Sequence, residues 1–275
     1  MSLSSMKTKF VDTSVGRLAF TARNALGLIR VAYRSPENVG TVANDQLATY
    51  LVTRLCLSGK GFIDIGAHIG SIVSEVVRRD PSIKLYAIEP TPTKIRHLRR
   101  RFPTVELHEC AVGDVDGEVP FFVNTKQSGY SSLGRPHNFE GVEIIKVPLK
   151  RLDALISSAD IDVIKIDVEG AELGVFRGGD ALIKSSRPTL MFESGPEADN
   201  GLEYQKESMW RWLEERGFDI VVPNRVAHNG PGLSLEGFLE AHLYPRRTTN
   251  YFAIPRERRI EIRDRARAVL GIAPT

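Results

Sequence analysis

From Gly61 onward, short apolar runs alternate with stretches of helical periodicity, and this alternation constrains the fold of the chain more than any other feature. The runs are Gly61–Ile65, Lys84–Ile88, Val105–Cys110, Asp162–Ile166, Thr189–Phe192, Asp219–Val222 and Tyr251–Ile254. Near-continuous apolar runs of this length read as strands buried on both faces, which occur where helices cover a parallel sheet on either side. Ser71–Arg79, Thr93–Phe102, Leu152–Ser157, Glu172–Lys184 and Glu203–Arg216 read as the crossover helices between them. The pattern predicts an α/β fold, Rossmann-like and doubly wound, around a mostly parallel seven-stranded sheet.

No linker-like stretch divides this region, so residues 59–256 are expected to form one domain, with insertions near 118–149 and 224–249. In the first, Glu118–Asn124 and Val142–Leu149 read as a hairpin around the Ser/Gly-rich loop from Gln127 to Pro136, and both insertions are candidate lids over a ligand site. A helical preamble is expected over 1–58 and a basic helix or tail over 257–275. In the preamble, Val15, Leu18, Ala22, Leu26 and Ile29 recur at helical spacing and predict a helix packed on the domain, with attachment to a membrane surface as the alternative use.

The glycine turn after the first strand carries the chemistry. In Phe62-Ile63-Asp64-Ile65-Gly66-Ala67-His68-Ile69-Gly70 an acid stands two residues before the first glycine and the glycines are four apart, unlike the G-x-G-x-x-G of dinucleotide folds. A dinucleotide lays its pyrophosphate on the helix N-terminus, whereas S-adenosylmethionine presents an ammonium and a carboxylate. Asp64 can receive the ammonium, and the amides from Gly66 toward Gly70 favour the carboxylate. Leu85–Pro90 puts Glu89 at the end of the next strand, where a carboxylate accepts hydrogen bonds from both ribose hydroxyls. The third strand ends near Ala111, a contact for the adenine. Each signal taken alone has a plain structural explanation; their spacing of about 20 residues on consecutive strands points to S-adenosyl-L-methionine as the cofactor.

These stretches, with Ser128–Leu133, the run Asp162-Val163-Ile164-Lys165-Ile166-Asp167-Val168-Glu169-Gly170-Ala171-Glu172, Arg187–Glu193 and the closing Tyr251–Pro255, resemble the FkbM family of S-adenosylmethionine-dependent methyltransferases. The resemblance covers roughly Gly61 to Pro255. It implies a class I methyltransferase fold, with an antiparallel last strand, and an enzyme that methylates a hydroxyl oxygen of a carbohydrate, glycolipid or natural-product-like acceptor.

The ligand crevice of a doubly wound sheet lies at the carboxyl ends of the strands where their order reverses, here expected between Asp64 and Asp167. The protein's main contribution to methyl transfer is to hold the acceptor in line. An alcohol also loses a proton, for which Asp167, Glu169, Glu172, His68, His137 and Glu193 are the candidates. Asp167, Glu169 and His68 are taken as catalytic, and Ser131, Ser132 and Glu193 as acceptor-binding; His68 could equally brace the loop. Lys165, in a strand that should be buried, is expected to reach the rim or pair with an acid. No metal-ligand spacing is present, and a divalent cation bridging Asp167 and Glu193 is the alternative to a metal-free site.

Composition narrows the other classes. Thirty-seven basic and 34 acidic residues leave a net charge of +3, too little for a dedicated nucleic-acid binder. Lys94, Arg96, Arg99, Arg100 and Arg101 read as a solvated helix face without an aromatic platform. Two cysteines, Cys56 and Cys110, fit a reducing compartment, and Arg30 interrupts Ala25–Tyr33, the stretch nearest to a membrane span. The expectation is a cytoplasmic enzyme with a small-molecule or glycan acceptor. An RNA or protein methyltransferase, or a cofactor-binding module without catalysis, is the alternative.

Overall fold

A computed structural model describes residues 25–125, 131–134, 140–157, 160–195 and 205–273. Helix α1 covers 25–34, and a short 3-10 turn, Pro36–Asn38, leads into α2 (Val39–Leu55). There follow β1 (Gly61–Ile65), α3 (Ser71–Arg79), β2 (Lys84–Ile88), α4 (Pro92–Arg101), β3 (Glu106–His108), β4 (Ala111–Val112), β5 (Gly117–Asn124), β6 (Val142–Lys150) and α5 (Leu152–Leu155). The chain continues through β7 (Ile161–Ile166), α6 (Glu172–Gly178), α7 (Asp180–Ser186), β8 (Thr189–Glu193), α8 (Lys206–Glu215), β9 (Phe218–Val221), α9 (Leu235–Glu240), β10 (Asn250–Pro255) and α10 (Arg259–Leu270).

All seven expected strands enter one sheet, in the order β3-β2-β1-β7-β8-β10-β9. β1 pairs in parallel with β2 and β7, and β10 is antiparallel to both β8 and β9. The doubly wound sheet and its antiparallel last strand are thus as expected of a class I methyltransferase. The apolar runs lack alternation because both faces are covered. Ile63, Ile65, Ile164 and Ile166 pack under α6, α7 and α8, while Phe62, Val163 and Phe252 pack under α2, α3, α4 and α10.

The expected strand to Cys110 stops at His108, and Ala111–Val112 pairs instead with β6, in a second sheet of order β4-β6-β5 that contains the predicted hairpin. The single helix expected over Glu172–Lys184 breaks at Gly178-Gly179 into α6 and α7, two glycines being poor helix interior. The C-terminal basic helix is not solvated all round. Ile262 and Ala266 are fully buried, and Arg258 and Arg265 reach the buried carboxylate of Asp162 at 2.6 and 2.7 Å. Asp162 also accepts the Leu57 N–H at 2.9 Å, so one acid ties the end of α2, the start of β7 and α10 together. At the N-terminus, Leu26 and Ile29 of the predicted apolar stripe face solvent rather than the domain. No described helix is long and apolar enough to cross a membrane.

Candidate active site

A cavity of about 350 Å³ opens at the carboxyl ends of β1, β2, β7 and β8, where the order of the strands reverses. Gly66, Ala67 and His68 line it from the turn after β1, and Glu89 and Pro90 from the turn after β2. Lys165, Asp167, Val168 and Glu169 line it from β7 and the turn beyond, with Met191 and Glu193 from β8. The second sheet closes one side with Cys110, Ala111, Val112, Phe121, Ser131 and Leu133; Thr49 and Asn250 also reach the cavity.

The turn after β1 is shaped by contact with its neighbour. A side chain on Gly66, at φ +78°, would place its Cβ 1.9 Å from the Asp167 carbonyl, so only glycine lets β1 and β7 approach there. The following residue but one, His68, also has positive φ (51°), as does Glu169 (55°) at the end of β7. Two non-glycine residues in left-handed conformations face one crevice from adjacent strands, the kind of strain that collects at functional sites. The Glu89 carboxylate holds the loop in place, accepting the N–H of His68 at 3.0 Å and of Thr91 at 3.0 Å. Two oxygens offer about four acceptor positions, so two backbone bonds leave Glu89 capacity for a ligand hydroxyl.

The parallel register sets Asp64 beside Lys165. Both are buried, and Lys165 Nζ lies 3.1 Å from Asp64 and 3.3 Å from Asp167 while donating to the Gly66 carbonyl at 2.9 Å. Burial alone would lower the ammonium's pKa, but the two carboxylates outweigh it, raise it and keep Lys165 charged. Burial likewise opposes the charge of Asp167, yet Lys165 and a hydrogen bond from Glu193 hold its carboxyl below the ordinary range. Glu193 moves the other way: burial and the Asp167 charge push it up to about 9, so it keeps its proton and donates to Asp167. Burial with the charges of Asp167 and Glu172 raises Glu169 to about 7. Glu172, wholly buried and raised to about 7, accepts the N–H groups of Val168 and Gly170 at 3.3 and 3.1 Å and braces the turn that carries Glu169.

Of the residues singled out in the sequence, Gly66, His68, Glu89, Ala111, Ser131, Asp167, Glu169 and Glu193 meet in this cavity. Asp64 does not line it, being fully buried and facing Lys165. Gly70 caps α3 in a left-handed conformation and packs on α4, where a Cβ would stand 2.6 Å from Leu98 and Phe102. Ser132 bridges to Phe122 on β5 and donates to the Gly134 carbonyl, away from the lining. Ser128, Tyr130 and His137 lie outside the described residues.

Lys94 belongs to the site although its run of basic neighbours disguised it. It stands 3.8 Å from Glu89 with a side chain 12% exposed, because the first turn of α4 begins beside the end of β2. Asp167, Glu169 and Glu193 bring oxygens within 4.8 Å of one another, close enough to surround a single positive centre. Burial raises the Cys110 thiol to about 11, which makes it an inert wall.

Residues 64–220 match the sequence model of the family described as the methyltransferase FkbM domain. Methyltransferase sdnD of Sordaria araneosa is 27% identical over 195 residues, spanning 58% of this chain and 73% of that protein. The 2-O-methyltransferase NoeI of Sinorhizobium fredii is 30% identical over 146 residues, 46% of this chain. That match spans 59% of NoeI, less than two thirds of its length. Among solved structures, methyltransferase FkbM from Methylobacillus flagellatus aligns with a TM-score of 0.48 at 18% identity, over 86% of this chain and 60% of its own.

Proposed function

The chain belongs to the FkbM methyltransferase family, and from that premise we propose that it is an S-adenosylmethionine-dependent O-methyltransferase acting on a hydroxyl of a carbohydrate, glycolipid or natural-product-like acceptor. The observation that carries the reading is the charge of the crevice. Glu89, Asp167, Glu169 and Glu193 line it together with Lys94 and Lys165; each lysine is paired with an acid, Lys94 with Glu89 and Lys165 with Asp64 and Asp167, so the oxygens of Asp167, Glu169 and Glu193, which converge on one point, suit a sulfonium or an ammonium there. The residues present fit S-adenosylmethionine in the rest of its length. Glu89 has acceptor capacity for ribose, and Ile88, Cys110, Ala111, Val112 and Phe121 form an apolar wall for the adenine.

When bound, the cofactor supplies a methyl group on a positively charged sulfur. Asp167, kept ionised by Lys165, lines the crevice, accepts a hydrogen bond from the protonated Glu193 and would stand toward the cofactor's positive sulfur. Glu193 in turn orients an acceptor oxygen through its remaining oxygen. Glu169, raised to about 7, would accept the acceptor's hydroxyl proton and so leave an oxygen able to take the methyl group that the cofactor would supply. Ser131 and His68 supply polar contacts on either side. The oxygen acceptor is favoured by the resemblance to the family and by NoeI, a 2-O-methyltransferase that is 30% identical over part of the chain.

A divalent cation on the same three carboxyls is the second reading, favoured by their mutual proximity. Calorimetric titration with S-adenosylmethionine and S-adenosylhomocysteine, with NAD as control and with magnesium or a chelator added, separates these cases. Binding of the first pair without NAD supports the cofactor assignment, and its absence removes it. Methyl transfer to glycans that stops with chelator would replace the proton-sharing description of Asp167 and Glu193 with a metal site.

A further inference from the structure

Helix α1 exposes an apolar face that none of the described residues covers. Leu26 and Ile29 are each 64% exposed and Tyr33 is 90% exposed, and their spacing puts them on one side of the helix together with Arg30. Leu28 and Val31, half-buried, occupy the other side, so the exposed apolar residues of α1 are gathered on one flank. Leu243 and Tyr244, each 66% exposed, extend the surface. Tyr244 reaches the 3-10 turn that follows α1 through hydrogen bonds with Glu37 and Asn38.

Arg30 and Arg34 are the charged residues of α1 itself, and the nearest acids, Glu37 and Glu240, are engaged by Tyr244 and Arg247. In the sequence no acid occurs between Asp12 and Glu37. An exposed stripe of Leu, Ile and Tyr bordered by arginines is what an interfacial helix requires. The apolar side chains enter the headgroup boundary, the tyrosine sits at its edge, and the guanidinium groups stay with the lipid phosphates. Two copies packed through the same face would instead bring Arg30 and Arg34 of each toward those of the other, with no acid on the stripe to compensate them.

We propose that α1, with the adjoining Leu243-Tyr244 loop, docks this protein onto an anionic phospholipid surface without crossing it. The docking does not depend on which acceptor is methylated.

The test is co-sedimentation of the full chain with vesicles of phosphatidylcholine alone and with about 30% phosphatidylserine added. Binding to the anionic vesicles that weakens with added salt is the expected result. Arg30→Glu/Arg34→Glu should weaken it by at least about tenfold, given about fivefold per basic residue at such a surface. Ile29→Glu/Tyr33→Glu should abolish it. Unchanged circular dichroism and S-adenosylmethionine affinity in both variants show that the fold is intact. Failure to bind anionic vesicles, or equal binding by wild type and variants, overturns the proposal. So does a concentration-dependent dimer that Ile29→Glu/Tyr33→Glu dissolves while vesicle binding is absent, which would assign the face to a second copy.

Discussion

Replacing Lys165 by methionine removes the one cation between two carboxylates and exposes how the crevice is held. At 3.1 and 3.3 Å, each attraction amounts to about 5 kcal/mol with an effective dielectric near 20. Desolvation of the ammonium, several kcal/mol, offsets much of that sum. Loss of one partner from a buried pair costs about 3–5 kcal/mol, because the stranded charge stays buried, and Lys165→Met should fall in this range at pH 8. The deficit should depend on pH. Burial already raises the Asp64 carboxyl above its ordinary value; without Lys165 it rises further, and the folded state then binds a proton that the unfolded state has released. Stability of the variant should therefore be best preserved below about pH 4 and fall as pH rises above it. Asp64→Asn/Lys165→Met, which strands no charge at position 64, should recover a large part of the loss. Urea unfolding followed by fluorescence of Trp210 and Trp212, from pH 4 to 8, measures all three proteins. A loss under 1 kcal/mol, a deficit independent of pH, or a double variant no better than Lys165→Met would refute the account of the triad.

Turnover should follow a bell in pH. The acid limb lies near 7, where Glu169 gains its proton and ceases to act as a base, and the basic limb near 9, where Glu193 loses the proton it shares with Asp167. Glu169→Gln should lower kcat at least about 100-fold and erase the acid limb, and retention of that limb would exclude Glu169 as the base. Glu89→Ala should weaken S-adenosylmethionine binding by about 1.5–3 kcal/mol in calorimetry, the loss of a charge-assisted hydrogen bond; unchanged affinity would remove its ribose role. Gly66→Ala sets a methyl against the Asp167 carbonyl and strains φ, so thermal unfolding should show a loss above about 1–3 kcal/mol, and a wild-type melting point would refute the packing described.

The seven strands, the helices between them and the carboxylates at the crevice were legible in the sequence because they follow from local pattern. Runs without alternation must be covered on both faces, and an acid at the end of such a run has only the crevice or a partner to face. What periodicity cannot state is which partner arrives. The register of β1 against β7 brings Asp64 to Lys165, so the acid expected at the crevice is buried against that lysine, while Asp167 lines the cavity. Lys94 leaves the solvated face of α4 for Glu89, and Gly70 serves the packing of α3 on α4, because both positions are decided by how helices lie on the sheet. The ends of the chain diverge for the same reason. Ile262 on α10 finds a core to enter whereas Ile29 on α1 finds none, although each lies in a basic amphipathic stretch. A stripe of apolar residues defines a face that must be covered; only the assembled sheet and its helices determine whether this chain covers it or leaves it to something else.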